Sequence, residues 1–517
     1  MSGDEKPESR IPPGDIFLLI LAPLTIFALA LVISTALRDG DTGWHISAGA
    51  WILEHGQVPR TDPFSFSAGG RSWMAHEWLS ELLMFAAWNA AGWQGLMVLF
   101  GATTAALYAM LTLHLRRWMT PRAAALTLLY VSVALLPAYL ARPHMLALPL
   151  LAGWMLLMIR AREEGRAPSL WLGLYMLVWV NAHASFIIGI AIAGAFGLEA
   201  LIEADGARRW RTFRDWSLFG ATLLVAGLCN PAGFHAYEYP FYVSRLELLK
   251  YISEWNPASF GKISAFEIVL LSTLFFLLAR PARVPVIRLL MLLGFLHLAL
   301  EHIRQLAVLA IVAPVLLAEP LGRAWSDGAP RPRPSLLHQV WSDRAALRPL
   351  FAVALLLVAG VTAARFVIPF DRPDSRGVPQ AALSALPPDL RSRPVFNEYS
   401  FGGLLILEGI RPFIDGRSDM YGDAFTADYF EISRGDLARW RRADARWQFA
   451  WTILPPDNAL VGKLDKEPGW RRIHADEWAV IHVADARRAL EFRQAPGNDR
   501  AGSPASTASD TEARSPR

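Results

Sequence analysis

Apolar runs punctuated by arginine clusters occupy most of the first 368 positions of the chain. They lie at Asp15–Leu37, Trp93–Leu115, Ala123–Leu140, Met145–Ile159, Leu170–Val180, Ala184–Leu201, Leu218–Leu228, Phe266–Leu278, Ile287–Leu300, Leu306–Leu317 and Leu350–Val367. A helix of roughly 17–25 residues crosses a bilayer, and shorter runs do so when packed inside a bundle, which gives about eleven spans. Of the 517 residues 53% are hydrophobic and 19% charged, whereas about a quarter of a soluble chain is charged. A soluble globular protein is excluded. So is a disulfide-stapled secreted domain, because Cys229 is the single cysteine. The first run is longer than the apolar core of a signal peptide and lacks a small-residue cleavage site, so it reads as a retained span.

The net charge of +4 does not point to nucleic acid, because the arginines sit in short clusters between the runs. One set of loops is basic: Arg116, Arg117 and Arg122; Arg160, Arg162 and Arg166; Arg208, Arg209, Arg211 and Arg214; Arg280, Arg283 and Arg288; and the loop Arg323–Arg348. By the positive-inside rule these face the cytoplasm. The alternate loops, 38–92, Arg142–His144, Asn181–Ser185, 230–263 and Glu301–Arg304, then face outward, as does everything after about Pro369. This assignment requires that the apolar helix Trp78–Ala91 does not cross.

The outward loops mix acid, imidazole, guanidinium and amide: Asp39, Asp41, His45, His76, Glu77, Arg142, Asn181, His183, Glu254 and Arg304 among others. Ionisable groups at span ends are costly to bury and are candidates for function. Solvation and snorkelling are the plainer explanation for any one of them. As a set they suit a site where a proton is taken and an anion is held. In the first of these loops Asp41 precedes a helical stripe of Trp44, Ala48, Trp51, Ile52 and His55, stopped by Gly56 and Pro59. A second amphipathic helix runs from His76 to Gly92. Both are short and Trp-rich, which places them in the membrane interface plane. Asp41 fits either a helix N-cap or a general base.

These motifs resemble the GT-C glycosyltransferase superfamily, in particular protein O-mannosyltransferases and the lipid A aminoarabinose transferases. The likeness covers roughly residues 15–368 and rests on the first span, Asp41-Thr-Gly-Trp-His, the helix ending at Gly56, Val58-Pro59 and the helix His76–Gly92. It is also similar to a bacterial group with Asp-x-Asp-x-x-Trp-His and Asp-Pro-Phe-Ser, present here as Asp39–His45 and Asp62–Ser65. Arg142-Pro-His, Trp179-Val-Asn181-Ala-His183, Asn230-Pro231-Ala-Gly233, Glu254-Trp255 and His302-Ile-Arg304 match that group too. The resemblance implies a catalytic base at Asp41, with Asp39 its acidic neighbour. Thr42 stands where those transferases carry a second acid, and His76-Glu77 stands where the aminoarabinose enzyme has Lys-Pro. The lysine's part in holding a lipid phosphate is therefore doubtful for His76. Arg142 and Arg304 are the better candidates, since a guanidinium fork suits phosphate, although Arg304 also fits a snorkelling anchor. His45, Glu77, Asn181, His183 and Glu254 are left as substrate-binding candidates. Asp39, Asp41, His45 and His76 include possible ligands for a divalent metal, but their spacing is not diagnostic.

After Pro369 the composition becomes mixed. Val395–Tyr399, Arg411–Ile414, Phe449–Leu454 and Trp478–Val483 read as strands, and 403–408, 436–445 and 460–466 as helices. The acid- and glycine-rich stretch Asp415–Asp423 reads as a turn-rich surface loop, with cation or sugar binding as the alternative. The expected layout is a cytoplasmic N-terminus (1–14), a GT-C-like membrane bundle (15–368), a small extracytoplasmic α/β domain (369–493) and a disordered tail (494–517). The implied function is that of a bacterial inner-membrane glycosyltransferase. It would move a sugar, with inversion, from a polyprenyl-phosphate donor to a glycan, lipid or protein acceptor. The alternative is a non-catalytic GT-C-like scaffold or a transporter. A transporter favours ionisable groups near the bilayer midplane and repeated halves, which the sequence does not display. Reporters fused after Arg117, Arg162, Arg211 and Arg283 should read cytoplasmic, and fusions after Asn397 extracytoplasmic. A cytoplasmic reading after Asn397 would invert the catalytic face.

Overall fold

The computed structural model describes residues 13–325 and 344–485. The tail 494–517, nearly all of the N-terminal 1–14 and most of the loop Arg323–Arg348 lie outside the described residues. Every apolar run falls on a helix. Among the described residues five helices are long and apolar enough to cross a membrane, and four shorter ones are apolar. Leu126, Leu129, Leu271, Phe275, Leu355 and Leu356 are exposed on the bundle's outside, a surface that water would penalise and lipid would not. Trp154, Trp179, Phe196 and Phe219 fill its interior.

Among the described residues the two sets of loops gather at opposite ends of the bundle. At the basic end, Arg162 and Arg288 reach from the ends of different helices to the buried Glu199, at 3.2 Å and at 3.0 and 2.9 Å. Arg117 pairs with Glu163 there at 2.9 Å. At the other end Arg142 joins Asp39 to Glu254. The long helix Trp78–Leu115 is broken at Ala91 and Gly92, whose backbones are non-helical; Gly92 has φ 56° and ψ −141°, a region that glycine alone enters without strain. Both ends of its first half lie at the acidic end. Trp78 bonds Asn181 at 2.7 Å, and Trp93 underlies Arg372, which holds the Asp39 carbonyl. The segment before Gly92 therefore does not cross the bundle.

The helix Thr42–His55, the first of the two juxtamembrane helices, is buried along much of its first three turns. It is packed between protein on two sides. A methyl group on Gly43 would lie 2.2 Å from the Gly403 carbonyl, and one on Gly49 would lie 2.2 Å from the Glu81 carbonyl. His55 is exposed while Trp44, Ala48 and Ile52 are buried, so the stripe breaks at its last member.

The C-terminal region carries a mixed sheet of β1 (Val395–Asn397), β2 (Trp451–Leu454), β3 (Trp470–Ala475) and β4 (Val480–Ala484), in the order β1-β2-β4-β3. β1 and β2 are parallel, and the other pairs are antiparallel. The expected strand Arg411–Ile414 is not one. Its backbone bonds the Asn397 side chain instead, with Phe413 N–H to Oδ1 at 2.8 Å and Nδ2 to the Ile414 carbonyl at 2.8 Å. The sequence reading missed β3, because its outward arginines, Arg471 and Arg472, hide the alternation; charge of this kind is usual on an edge strand. One hydrophobic cluster unites Trp44, Ala48, Ala68, Trp73 and Ala75 of the first outer loop with Phe396, Phe413, Tyr421 and Trp440. Loop and C-terminal region share a core.

That shared packing is testable at Gly43. Gly43→Ala forces two backbones apart and should destabilise the protein by about 1–3 kcal/mol, the usual cost of overpacking. Gly194→Ala, which meets open space, should melt like the parent in detergent. Equal melting of both variants would contradict the close approach.

Candidate functional site

Asp39 and Asp41 flank Gly40 in the turn between a short 3-10 segment, Ser34–Arg38, and the helix Thr42–His55. Their side chains converge on one guanidinium. Arg142 takes Asp39 in a two-pronged bond, Nε to Oδ2 at 2.7 Å and Nη2 to Oδ1 at 2.5 Å. The same Nη2 lies 3.0 Å from Asp41 Oδ2. Asp41 occupies the N-cap position of its helix, yet its carboxylate accepts no capping bond. The side chain is committed to Arg142 rather than to the helix end.

This asymmetry separates the two acids. Burial opposes ionisation of Asp39, but the charge and hydrogen bonds of Arg142 outweigh it and hold Asp39 below the usual carboxylate range. Asp41 is buried too, has a weaker hold on Arg142 and faces the negative Asp39. Its pKa rises to about 6. One carboxylate is locked as an anion while the other is tuned to exchange a proton near neutral pH.

Arg142 continues outward to Glu254 Oε1 at 3.5 Å, and Arg304 meets the same oxygen at 3.5 Å. The Arg304 guanidinium lies over the Trp255 ring at 4.3 Å. Burial works against the Glu254 charge, but the two arginines prevail and lower its pKa. Beside this ladder Glu77 Oε1 joins His183 Nε2 at 3.2 Å and His76 Nε2 at 3.5 Å. His183 Nδ1 accepts the Ser185 N–H, and burial drops its pKa to about 3, so it is neutral and donates from Nε2. Burial also resists the charge on His76, but Glu77 and Asp419 raise its pKa. His45 bonds Glu81 at 3.4 Å and is close enough to act on Asp39, Asp41 and Glu77.

Thus the structure brings together Asp39, Asp41, Arg142, Glu254 and Arg304, with His45, His76, Glu77 and His183 alongside. Asn181 stands apart. Its amide oxygen takes the Trp78 N–H, and its nitrogen donates to the Leu177 and Cys229 carbonyls at 2.8 and 3.0 Å. It ties helices together and keeps little for a substrate.

Sequence reasoning missed Arg372 and misplaced Asp415–Asp423. Arg372 is buried, donates to the Leu37 and Asp39 carbonyls at 2.8 and 2.9 Å, and so fixes the turn that carries both acids. Nothing in the sequence around it marks that role. The Asp415–Asp423 stretch is not a surface loop. Arg417 is almost fully buried and holds Asp62 at 2.6 Å and Asp415 at 2.8 and 2.6 Å, over the rings of Phe64 and Trp73. Asp62 in turn accepts the Phe64 and Ser65 N–H groups at 2.9 and 3.1 Å, a turn built by its own side chain over Pro63. The pattern of acids and glycines was a real signal, but it was for burial. Among the described residues no group of three or more His, Cys, Asp or Glu side chains could hold a metal ion.

No family model and no curated protein sequence matches the chain. Solved structures do. The apo structure of ArnT from Cupriavidus metallidurans aligns with 17% identity and a TM-score of 0.50, covering 92% of this chain and 98% of that one. The same protein bound to undecaprenyl phosphate aligns at 14% identity and TM-score 0.49, covering 92% and 99%. The Archaeoglobus fulgidus oligosaccharyltransferase aligns at 10% and 0.49, covering 86% and 70%. At such identities the likeness is one of fold: the chain shares a GT-C-like arrangement of membrane helices with ArnT.

Proposed function

We propose that the protein is an integral membrane glycosyltransferase that moves a sugar from a polyprenyl-phosphate donor to an acceptor on the extracytoplasmic face of the membrane. The observation that carries this reading is the division of labour between two acids on one guanidinium: Asp39 ionised and fixed, Asp41 raised to about 6. An acceptor hydroxyl needs its proton taken as it attacks, and a carboxylate with that pKa is suited to take it. The hydroxyl oxygen forms the new bond to the anomeric carbon from the face opposite the phosphate. The anomeric carbon–oxygen bond breaks, and the electron pair leaves with the lipid phosphate. The product has inverted configuration.

The departing charge needs a cation. Arg142 has its fork occupied by Asp39, so its role here is to set the two carboxylates. Arg304 touches Glu254 only at 3.5 Å and is braced by Trp255, which leaves donors for a phosphate at the outer edge of the bundle. The Glu77–His76 pair, with Glu77 held by the neutral His183, stands in the adjoining region where sugar hydroxyls would need partners.

With purified protein and polyprenyl-phosphate sugar, Asp41→Asn should lose about 10²–10⁴ in turnover, the usual contribution of a general base. The parent's turnover should fall about tenfold per unit as pH drops below about 6, because the raised pKa keeps Asp41 protonated up to that point. Asp39→Asn should instead act chiefly on melting, since it leaves Arg142 without its main partner. Full activity in Asp41→Asn would remove Asp41 as the base, whereas absence of turnover in the parent would favour the scaffold alternative.

Replacing the fork of Arg304 by a point charge gives a second test. Arg304→Lys should insert normally and weaken donor binding about tenfold, or about 1.4 kcal/mol. Unchanged donor affinity would return Arg304 to the role of an anchor at the membrane edge.

A further inference from the structure

The carboxylate of Asp41 is covered by a residue from the far end of the chain. A Cβ built on Gly416 would fall 2.1 Å from Asp41 Oδ1, 2.5 Å from Cγ and 2.7 Å from Oδ2, and these are its three nearest atoms. No other side chain than glycine fits there while Asp41 keeps its place. Gly416 is held firmly. Its carbonyl accepts the Tyr399 hydroxyl at 3.2 Å, and it lies between Asp415 and Arg417, whose ion pair is buried and anchored to Asp62. The approach is repeated nearby: Gly403 meets the Gly40 carbonyl at 2.2 Å and the Asp41 Cα at 3.1 Å, measured from the same built atom.

We propose that Gly416 is a positioning residue of the catalytic centre, pressed onto the Asp41 carboxylate by the buried Asp415–Arg417–Asp62 lock, so that the C-terminal region completes the site. The proposal deepens the reading above and rests on Asp41 as the base. Its physical content is steric. Arg142 pulls Asp41 from one side and Gly416 limits it from the other, leaving the carboxylate one orientation. Burial under this cover also removes water from Asp41, which agrees with the direction of its shift. The three atoms nearest a methyl group at position 416 all belong to the end of the Asp41 side chain. The protein should therefore fold, with Asp41 turned away from its place. The same change at Gly402 meets the Ile414 carbonyl at 2.4 Å and would disturb the backbone.

The test is a double-mutant cycle on the full chain in nanodiscs, with Gly416→Ala and Asp41→Ala, read by melting and by turnover. Gly416→Ala alone should lower turnover about 10²-fold, the scale expected when a reacting group is misplaced by about 1 Å, mainly in kcat and with little change in donor KM. It should lower the melting temperature in the parent but not in Asp41→Ala, where the obstructed carboxylate is gone. Gly462→Ala, in the same region with nothing near its built Cβ, should match the parent in both readouts. A parent-like turnover in Gly416→Ala overturns the proposal. So does an equal melting loss in both backgrounds, since the contact would then not be with Asp41. A silent Asp41→Asn, read from that variant by itself, overturns the base assignment and is distinguished from either result.

Discussion

A guanidinium with almost no exposure to water, that of Arg417, is the point on which the arrangement of the outer end depends. Burying a charge is tolerable only when partners replace its water. Arg417 obtains them from Asp415 in its own turn and from Asp62 in a loop more than three hundred residues earlier. Removing any one member would strand a buried charge, so the two segments are held together. Around this pair lies a hydrophobic cluster to which both segments contribute. The first outer loop is therefore part of the core of the C-terminal region as much as it is a connection between membrane helices.

That union has a consequence for the two acids. The turn bearing Asp39 and Asp41 is fixed by three agents from different parts of the chain: Arg142 binds the carboxylates, Arg372 binds the backbone carbonyls, and Gly403 with Gly416 closes from above. Within that frame small differences in contact produce large differences in chemistry. Two bonds from Arg142 keep Asp39 anionic, whereas a single 3.0 Å contact leaves Asp41 subject to burial and to its charged neighbour. The carboxylates are two residues apart, yet they titrate in different ranges.

The sequence alone made much of this legible. Its apolar runs and arginine clusters sorted the loops to two ends, and Gly92 marked where a non-crossing helix gives way to a crossing one. Asp41 in the first outward loop and Arg142, Glu254 and Arg304 in later ones stood out as candidates, and the folded chain brings them together. Other expectations failed for identifiable reasons. Arg411–Ile414 has strand composition but bonds an asparagine side chain in place of a neighbouring strand. β3 is a strand whose arginines hide its alternation.

Periodicity, charge bias and local capping signals act over a few residues, so the sequence by itself determined the helices, their alternation and the presence of acids at one end. Close approach between distant segments leaves no such local trace. Nothing near Gly416 in the chain marks it as the cover of Asp41, because the reason is a carboxylate 375 positions away. Nor does any spacing distinguish Asp39 from Asp41. Only the tertiary structure decided which acid takes both prongs of Arg142, because that choice depends on where the fork points once the helices have packed.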